Sequence, residues 1–290
     1  MKTIALIGAN GQLANDIFRV FDKQLWRIYC LYHRDIEIKD SNSISKCLTK
    51  LKANIIINTA AYHNTDLCEE NGQEAFAVNT LGVRNLCFWC AKNACTLVHF
   101  STDYVFGSDK NRDVPYEEED PVGPINLYGV SKVAGEFFIQ SILKRYFLIR
   151  TSGLFGSAGS SVKGGNFVDF IIRESQSGRK MKVVSDQIFS PTYTKNVAEN
   201  LEVLLQTNNF GLYHMVSQNQ CSWFELARTI GMYMNLTSPI QSISTKIHEF
   251  KAQRPLYSVL ANKKLQRLGI DRMNTWQDNI RLYLQEKRYI

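Results

Sequence analysis

Tyr128 and Lys132 are residues whose types and spacing suit them for proton-transfer chemistry. They stand four residues apart in a segment with helical periodicity, so their side chains lie on one helix face. An ammonium group beside a phenol stabilises the phenolate and lowers the tyrosine pKa. Such a tyrosine can give a proton to a carbonyl oxygen while a hydride reaches the carbon. The pair therefore predicts carbonyl reduction with Tyr128 as the acid.

The context of Tyr128 separates it from a second pair with the same spacing, Tyr283 and Lys287. An apolar segment that ends in Ser101 and Thr102 precedes Tyr128. Catalytic hydroxyls of open α/β sheets lie at the carboxyl ends of strands, so either hydroxyl can bond the carbonyl oxygen that Tyr128 protonates. Tyr283 follows no such strand, and we assign the second pair to a surface helix.

A phosphate-binding turn is predicted at positions 8–14, Gly-Ala-Asn-Gly-Gln-Leu-Ala, which follow an apolar strand and open a helix. Small residues there allow a tight turn, close approach of backbone N–H groups to a pyrophosphate, and close packing of helix on strand. The positive end of the helix dipole also favours an anion. The run therefore predicts a dinucleotide site built on Gly8 and Gly11.

The end of the second apolar strand should set the cofactor preference, because the ribose of a bound dinucleotide reaches it. A basic residue there favours the 2′-phosphate of NADPH, and an acidic one favours the 2′-hydroxyl of NADH. The sequence has His33, Arg34 and Asp35 at this point. Arg34 therefore favours NADPH, whereas Asp35 leaves NADH open.

The elements that position these residues alternate between strands and helices. The pattern predicts strands at 3–7, 26–32, 55–58, 97–101 and 147–150, and helices at 12–21, 41–51, 74–91 and 128–143. Apolar strands that alternate with helices indicate parallel pairing with both sheet faces covered. The prediction is an α/β fold with a Rossmann-like, doubly wound parallel sheet.

The pattern changes after residue 151 to that of a smaller α+β lobe. Residues 153–165 form a Gly- and Ser-rich loop, and further elements are predicted at 167–174, 181–185, 196–206, 213–216, 223–234 and 276–284. No linker divides the chain, which indicates that the lobe is interleaved with the sheet. We expect residues 1–150 to form the dinucleotide-binding domain, with segments near 181–206 returning to it, and 151–290 to form mainly the substrate lobe.

Composition narrows the possible classes of protein. The 290 residues carry 34 Lys+Arg against 27 Asp+Glu, but these are dispersed, which argues against nucleic-acid binding. No apolar run reaches the roughly 20 residues of a spanning helix, so no membrane association is expected. Seven scattered cysteines, including the Cys87 and Cys90 pair, indicate reduced buried thiols and a cytoplasmic location. The acidic run at 117–120 reads as a solvated loop, and no metal site is predicted.

Together the motifs resemble the extended short-chain dehydrogenase/reductase family, and most narrowly its dTDP-4-dehydrorhamnose reductase branch. The resemblance covers nearly the whole chain. It rests on the segments 8–14, 55–62, 77–80, 99–106, 124–136 and 150–152, and in the second half on 166–168, 186–192, 211–214, 222–223 and 254–255. Membership implies reduction of a nucleotide-linked 4-keto-6-deoxy sugar at C4 by NADPH or NADH, as in dTDP-rhamnose and polysaccharide biosynthesis.

The resemblance also implies roles for individual residues. The implied catalytic set is Thr102, Tyr128 and Lys132. The implied cofactor contacts are Gly8, Gly11, Gln12, Leu13, Ala60, Ala61, Tyr62 and Asn79, in addition to Arg34, Tyr128 and Lys132. The implied sugar-nucleotide contacts are Thr102, Tyr104, Gly153, Asn166, Phe167 and Arg254. A guanidinium is also the natural partner of a pyrophosphate, which supports Arg254 independently.

Two departures from the family pattern concern the sugar. Gly153 stands where the family usually has a tryptophan, and Phe189 stands where a glycine is usual, which would refill the space. His63, Asn64 and Leu67 also replace commoner residues. We therefore expect a related nucleotide-linked 4-keto-6-deoxy sugar, which need not be the rhamnose precursor.

Two other functions remain open from the sequence. One is a non-catalytic nucleotide-binding subunit similar to the regulatory subunit of methionine adenosyltransferase. The other is a sugar-nucleotide epimerase or 4,6-dehydratase, although dehydratases of the superfamily place Asp-Glu after the strand-end threonine and this chain has Asp103 and Tyr104. Short-chain reductases commonly dimerise, which leaves a homodimer open.

Overall fold

A computed structural model describes residues 1–159, 164–247 and 250–290. The strands are β1 (Lys2–Ile7), β2 (Trp26–Leu31), β3 (Ile55–Asn58), β4 (Thr96–Thr102), β5 (Tyr146–Thr151), β6 (Leu154–Phe155), β7 (Met181–Val184), β8 (Ile188–Phe189), β9 (Thr192–Tyr193), β10 (Gly211–His214), β11 (Cys221–Ser222) and β12 (Ile240–Ile243). The helices are α1 (Gln12–Val20), α2 (Ser41–Leu51), α3 (Thr65–Glu70), α4 (Gly72–Phe76), α5 (Val83–Lys92), α6 (Leu127–Ile142), α7 (Phe167–Gln176), α8 (Thr194–Leu205), α9 (Trp223–Tyr233), α10 (Lys263–Arg267) and α11 (Trp276–Glu286).

Six parallel strands form the central sheet in the order β10-β5-β4-β3-β1-β2. The chain runs outward from β1 to β2 and then crosses back to β3, so the strand order reverses between β1 and β3. Ligands of doubly wound folds bind at such a switch point, beyond the carboxyl ends of the strands. The α/β class and the Rossmann-like sheet are confirmed.

Helices cover both faces of this sheet. Leu13 of α1 and Leu201 of α8 pack in the core on one face, and Ile44 of α2 and Leu86 of α5 pack in the core on the other. Every residue of β4 is therefore buried. Burial along a whole strand is expected where both faces of the sheet are covered.

Two later segments pair differently from the prediction. The strand expected at 213–216 in the smaller lobe is β10, which pairs with β5 in the central sheet. The strand expected at 181–185 is β7, which pairs with β12 rather than with the central sheet. Strand propensity does not reveal a pairing partner, so the sequence could not make these assignments.

The helix expected at 74–91 is three helical segments. A π-helical segment (Ala77–Gly82) joins α4 to α5, and α3 before it has no counterpart in the prediction. The α3 helix is only one and a half turns long, too short to show a helical period, and Asn64 caps it by accepting a hydrogen bond from the Leu67 N–H. The π segment contains Asn79, whose side chain contacts the site described below.

The smaller lobe has its own core between α7, α9 and α11. Tyr283 of α11 is fully buried there and donates a hydrogen bond to Asp169, so its assignment to a surface helix was wrong. The prediction of a solvated loop at 117–120 was also wrong in part, because Glu118 is buried. Its carboxylate accepts hydrogen bonds from the backbone N–H groups of His214 and Lys264. The loop expected at 153–165 begins with β6, and its residues 160–163 lie outside the described part.

Cys87, Cys90 and Cys95 are buried and not in disulfides, as predicted. Among the residues that the structure describes, no helix is long and apolar enough to cross a membrane.

Candidate active site

A cavity of about 840 Å³ lies beyond the carboxyl ends of the central strands and extends to the smaller lobe. The predicted residues that line it are Gly8, Gly11, Gln12, Leu13, Ala60, Ala61, Tyr62, Thr102, Tyr104, Tyr128, Lys132, Gly153, Asn166 and Phe167. The side chains of Arg34, Asn79 and Arg254 do not belong to this lining in the described structure. The sequence therefore located most of one continuous site.

The turn after β1 fits a phosphate group closely. Gly8 has φ +80°, and a Cβ at this position would lie 2.8 Å from both the Ala60 backbone nitrogen and the Thr59 hydroxyl oxygen. Only glycine therefore fits where the β1 and β3 turns meet. Gly11 then precedes α1 as its N-cap without a side chain, which leaves the first-turn N–H groups open to the cavity.

Buried polar atoms without partners also point to a ligand. Among the described residues, the Gln12 Oε1, Ser101 Oγ and Thr151 Oγ1 atoms have no hydrogen-bond partner although all three residues line the cavity. Buried polar groups are normally paired, so such atoms indicate a missing polar partner. These residues therefore fit a dinucleotide whose amide, ribose and phosphate groups would satisfy them.

Tyr128 stands in the first turn of α6, where Asn126 caps the helix by accepting the Gly129 N–H. Its ring lies edge-on to the Tyr104 ring at 6.1 Å. Burial raises the pKa of the Tyr128 phenol, and a hydrogen bond with Thr102 opposes this rise. The expected lowering of that pKa was wrong for the protein alone, because desolvation of the phenolate is the larger effect.

Lys132 is fully buried one turn further along α6. Its Nζ donates a 2.6 Å hydrogen bond to the Phe100 carbonyl oxygen and lies 3.0 Å from the Nε2 of His99. Burial lowers the pKa of Lys132 to about 8. The sequence analysis gave no role to His99; its place on β4 two residues before Ser101 is the signal that could have found this contact.

Asp103 connects the segments around Thr102 by hydrogen bonds. Its carboxylate accepts hydrogen bonds from the hydroxyls of Thr102 at 3.1 Å, Ser152 at 2.8 Å and Ser258 at 2.7 Å. Burial raises the pKa of this carboxyl to about 6 against the effect of those donors. The residue therefore orients Thr102 and ties β4 to the segments after β5 and before α10.

Asn79 does not line the cavity, but its side chain is hydrogen-bonded to Tyr62 in the loop after β3, which does. Its Oδ1 accepts the Tyr62 N–H at 2.9 Å, and its Nδ2 donates to the Tyr62 carbonyl and to the Ser131 hydroxyl. Arg34 has an 82% exposed side chain whose guanidinium lies 5.3 Å from the centroid of the Tyr32 ring. Tyr32 and His33 do line the cavity, so Arg34 sits just outside its rim.

Aromatic rings line the part of the cavity next to the smaller lobe. Phe189 stacks on Trp223 with centroids 4.0 Å apart, and Phe167 meets the same indole edge-on at 4.7 Å. All three line the cavity. Trp223, in the first turn of α9, is half-buried, because it packs against the core of the smaller lobe and also lines the cavity.

Two predicted substrate residues have structural partners as well. Asn166 caps α7 by accepting the Asp169 N–H, and its Nδ2 donates to the Gly156 carbonyl and the Tyr283 hydroxyl. Arg254 pairs with Asp66 at 2.9 Å, and its guanidinium lies 6.0 Å from the Tyr104 ring centroid. The buried Nη1 of Arg254 has no partner among the described residues, so it can still bind an anion.

Comparison with known proteins shows the family of this chain. Residues 1–289 match the family described as the RmlD substrate binding domain. The chain belongs to this family. One relative in the RmlD family is the spore coat polysaccharide biosynthesis protein SpsK of Bacillus subtilis, 34% identical over 287 residues, which cover 99% of this chain and 98% of SpsK. Another is the dTDP-4-dehydrorhamnose reductase of Aggregatibacter actinomycetemcomitans, 29% identical over 98% of this chain and all of that enzyme.

Solved structures agree with membership in the RmlD family. The dTDP-4-dehydrorhamnose reductase of Bacillus anthracis, crystallised in complex with NADP, superimposes with a TM-score of 0.94 at 33% identity and covers 99% of this chain and 100% of its own. The UDP-glucose 4-epimerase of Thermus thermophilus, in complex with NAD, gives a TM-score of 0.82 at 17% identity over 99% of both chains. The second likeness shows the shared fold alone.

Proposed function

We propose that the chain is an NAD(P)H-dependent reductase that delivers hydride to C4 of a nucleotide-linked 4-keto-6-deoxy sugar. The observation that carries the proposal is the placement of Tyr128, Thr102 and Lys132 in one cavity with the Gly8 turn. The relatives named dTDP-4-dehydrorhamnose reductase, one of them bound to NADP, support the same reaction and favour NADPH. The Arg34 side chain beside the cavity rim also suits a 2′-phosphate.

Each residue of the site has a distinct task in this reaction. A bound nicotinamide cofactor supplies the hydride. The Tyr128 hydroxyl gives its proton to the carbonyl oxygen of the sugar. The Thr102 hydroxyl, which donates to Asp103 in the unliganded site, exchanges that hydrogen bond for one to the same sugar oxygen. The charge on protonated Lys132 stabilises the phenolate that Tyr128 becomes. The glycine turn and the N-terminus of α1 hold the pyrophosphate of the cofactor.

The finer choice of sugar depends on the aromatic wall formed by Phe167, Phe189 and Trp223. Rings of this kind stack on the apolar face of a hexose and accept a methyl group at C6. The buried Nη1 of Arg254, which has no hydrogen-bond partner among the described residues, would donate to the diphosphate of the nucleotide. We propose a dTDP-linked 4-keto-6-deoxyhexose, with the rhamnose precursor as the first substrate to test.

The test is the oxidation of NADPH, followed by its absorbance, when the purified protein meets dTDP-linked and UDP-linked 4-keto-6-deoxy sugars. The proposal expects oxidation with at least one of these sugars. Bound NADPH that no keto sugar oxidises would contradict it. NAD that stays bound through purification would favour an epimerase instead. A stable complex with a methionine adenosyltransferase catalytic subunit would favour the regulatory function.

Three further expectations belong to this proposal. The residues at 1–150 form the cofactor domain, and α8, which packs on α1 in the same core, returns to it from the second half of the chain. A biosynthetic reductase of nucleotide sugars would work in the cytoplasm. The third expectation is a homodimer, which light scattering checks by the molar mass of the protein.

A further inference from the structure

A chain of hydrogen-bonding side chains runs from Lys132 across the central sheet to the cofactor loop. Asn58 at the end of β3 and His99 in β4 are direct neighbours in the parallel register. The Nδ2 of Asn58 lies 3.1 Å from the Nδ1 of His99, and the Nε2 of His99 lies 3.0 Å from the Nζ of Lys132. All three side chains are buried.

The orientation of the Asn58 amide fixes the tautomer of His99. The Oδ1 of Asn58 accepts the backbone N–H of Ala60 at 3.1 Å, so its Nδ2 is the atom that faces His99. An amide nitrogen only donates, so the Nδ1 of His99 must accept. Complete burial lowers the pKa of His99 and keeps the ring neutral. The single ring proton therefore sits on Nε2, which points at Lys132.

This tautomer conflicts with an ammonium group at Lys132. An ammonium has three donors and no acceptor, so its N–H would face the N–H of His99. A neutral amine has a lone pair that accepts the His99 proton, and it still donates to the Phe100 carbonyl oxygen. If the Asn58 amide were turned over, its Nδ2 would face the backbone N–H of Ala60, so that two donors would oppose each other there instead. The unliganded arrangement is therefore satisfied throughout only when Lys132 is neutral.

We propose that Asn58 and His99 are positioning residues whose hydrogen bonds favour the neutral amine of Lys132 in the unliganded site, with its lone pair accepting from the Nε2 of His99. Other groups act on Lys132 from its own helix and from the sheet. Glu136, one turn later on α6, favours the charged form but is itself paired with Arg150 of β5 at 2.7 Å. The kinetic consequence rests on the proposed function, whereas the tautomer of His99 does not.

The first test reads the tautomer directly by ¹⁵N NMR of histidine-labelled, unliganded protein near neutral pH. The His99 signals are assigned by their loss in His99→Gln. We expect a proton on Nε2 and none on Nδ1, and a Lys132 amine that titrates below the other lysines in ¹³C-labelled protein. A proton on Nδ1, or a Lys132 that stays charged up to the ordinary lysine range, would overturn the proposal.

The second test reverses the tautomer with Asn58→Asp. A carboxylate at position 58 accepts from Nδ1, so Nε2 becomes an acceptor that suits the ammonium. The Lys132 pKa should rise by about one unit or more, and the alkaline limb of kcat/KM should move with it. Asn58→Asp in a His99→Phe background measures the effect of the added negative charge on the Lys132 pKa without any change of histidine tautomer. An equal rise in both backgrounds would overturn the proposal.

His99→Gln is the conservative variant, because its amide can accept from Asn58 and donate to Lys132 as the ring does. Both variants keep the burial that lowers the Lys132 pKa, but only His99→Gln keeps a donor to the neutral amine, so the Lys132 pKa should be lower in His99→Gln than in His99→Phe. Equal Lys132 pKa values in the two variants would contradict the role of His99. A protein that shows the expected tautomer yet reduces no keto sugar would refute the proposed function and leave this inference standing.

Discussion

The ring of Phe189 fills the space in front of Gly153 in which a side chain would otherwise lie. The nearest atoms to a Cβ built on Gly153 belong to this ring, and the glycine itself has φ +50°. Phe189 is held in place by its stack on Trp223. The aromatic surface at this point of the cavity is therefore supplied by β8 and α9 rather than by the segment after β5.

We predict a strong coupling between positions 153 and 189 in stability. Gly153→Ala should cost about 2–4 kcal/mol, since about 1–3 kcal/mol of overpacking adds to about 1 kcal/mol of left-handed backbone strain. In a Phe189→Ala background only the strain of about 1 kcal/mol should remain. Urea unfolding of the wild type, the two single variants and the double variant measures this coupling. Equal costs in both backgrounds would show that the ring does not occupy this space.

Arg254 should bind the diphosphate of the substrate. We predict that Arg254→Gln raises KM for the nucleotide sugar about 10- to 100-fold, because it removes a charge-assisted hydrogen bond of about 1.5–3 kcal/mol. The KM for NADPH should change little. The exposed Arg179, changed to Gln, is the matched control. A KM for the sugar that stays at the wild-type value would remove Arg254 from the site.

The Arg150 and Glu136 pair should be sensitive to loss of one partner. The two side chains are 3% and 1% exposed, and Arg150 also lies 5.2 Å from the Phe106 ring centroid. Glu136→Gln leaves a buried guanidinium without its counter-charge, which should cost about 3–5 kcal/mol of unfolding free energy. Urea denaturation measures this cost. The double variant Arg150→Met, Glu136→Leu should lose less unfolding free energy than Glu136→Gln alone. A larger loss in the double variant would contradict the account.

Asp103 should make stability fall as the pH rises. Its pKa is about 6 in the folded protein and near 3.8 when unfolded, so between these values the folded state holds a proton that the unfolded state lacks. Stability from this group is complete below pH 4 and is lost as the pH passes 6, by about 3 kcal/mol. Asp103→Asn should remove that slope from the stability curve, whereas Asp109→Asn, at an exposed site, should keep it. Parallel curves for wild type and Asp103→Asn would refute the shift.

The sequence predicted the central sheet well because its signals are local. Apolar runs such as β3 and the glycine turn after β1 are fixed by residues within a few positions of one another. It could not predict that β10 joins β5, since pairing depends on contacts made across the whole chain. The role of His99 was missed for the same reason, because only the fold brings it to Lys132.

The spacing of Tyr128 and Lys132 predicted that both lie in the candidate site, but it did not predict their electrostatics. The rule that a lysine lowers a neighbouring tyrosine pKa considers only the charge of the lysine and leaves out desolvation of the phenolate. Both Tyr128 and Lys132 are instead enclosed, and burial raises the pKa of the first and lowers the pKa of the second. Desolvation depends on packing from several elements, which no short motif encodes.

Tyr128→Phe should separate chemistry from binding. The variant lacks the proton donor, so turnover should fall about 10²- to 10⁴-fold. NADPH should still bind with near wild-type affinity, measured by quenching of tryptophan fluorescence. Tyr29→Phe, which makes the same change at an exposed position outside the cavity lining, is the matched control. Turnover close to wild type in Tyr128→Phe would exclude Tyr128 as the acid.

The most direct test of the reductase proposal follows the hydride itself. The purified protein is incubated with a dTDP-linked 4-keto-6-deoxyhexose and NADPH that carries deuterium at C4 of the nicotinamide, and the sugar product is examined by NMR. The account predicts one deuterium, at C4 of the sugar, with a single stereochemistry. Oxidised cofactor without deuterium in the sugar, or bound cofactor with no reaction, would contradict it.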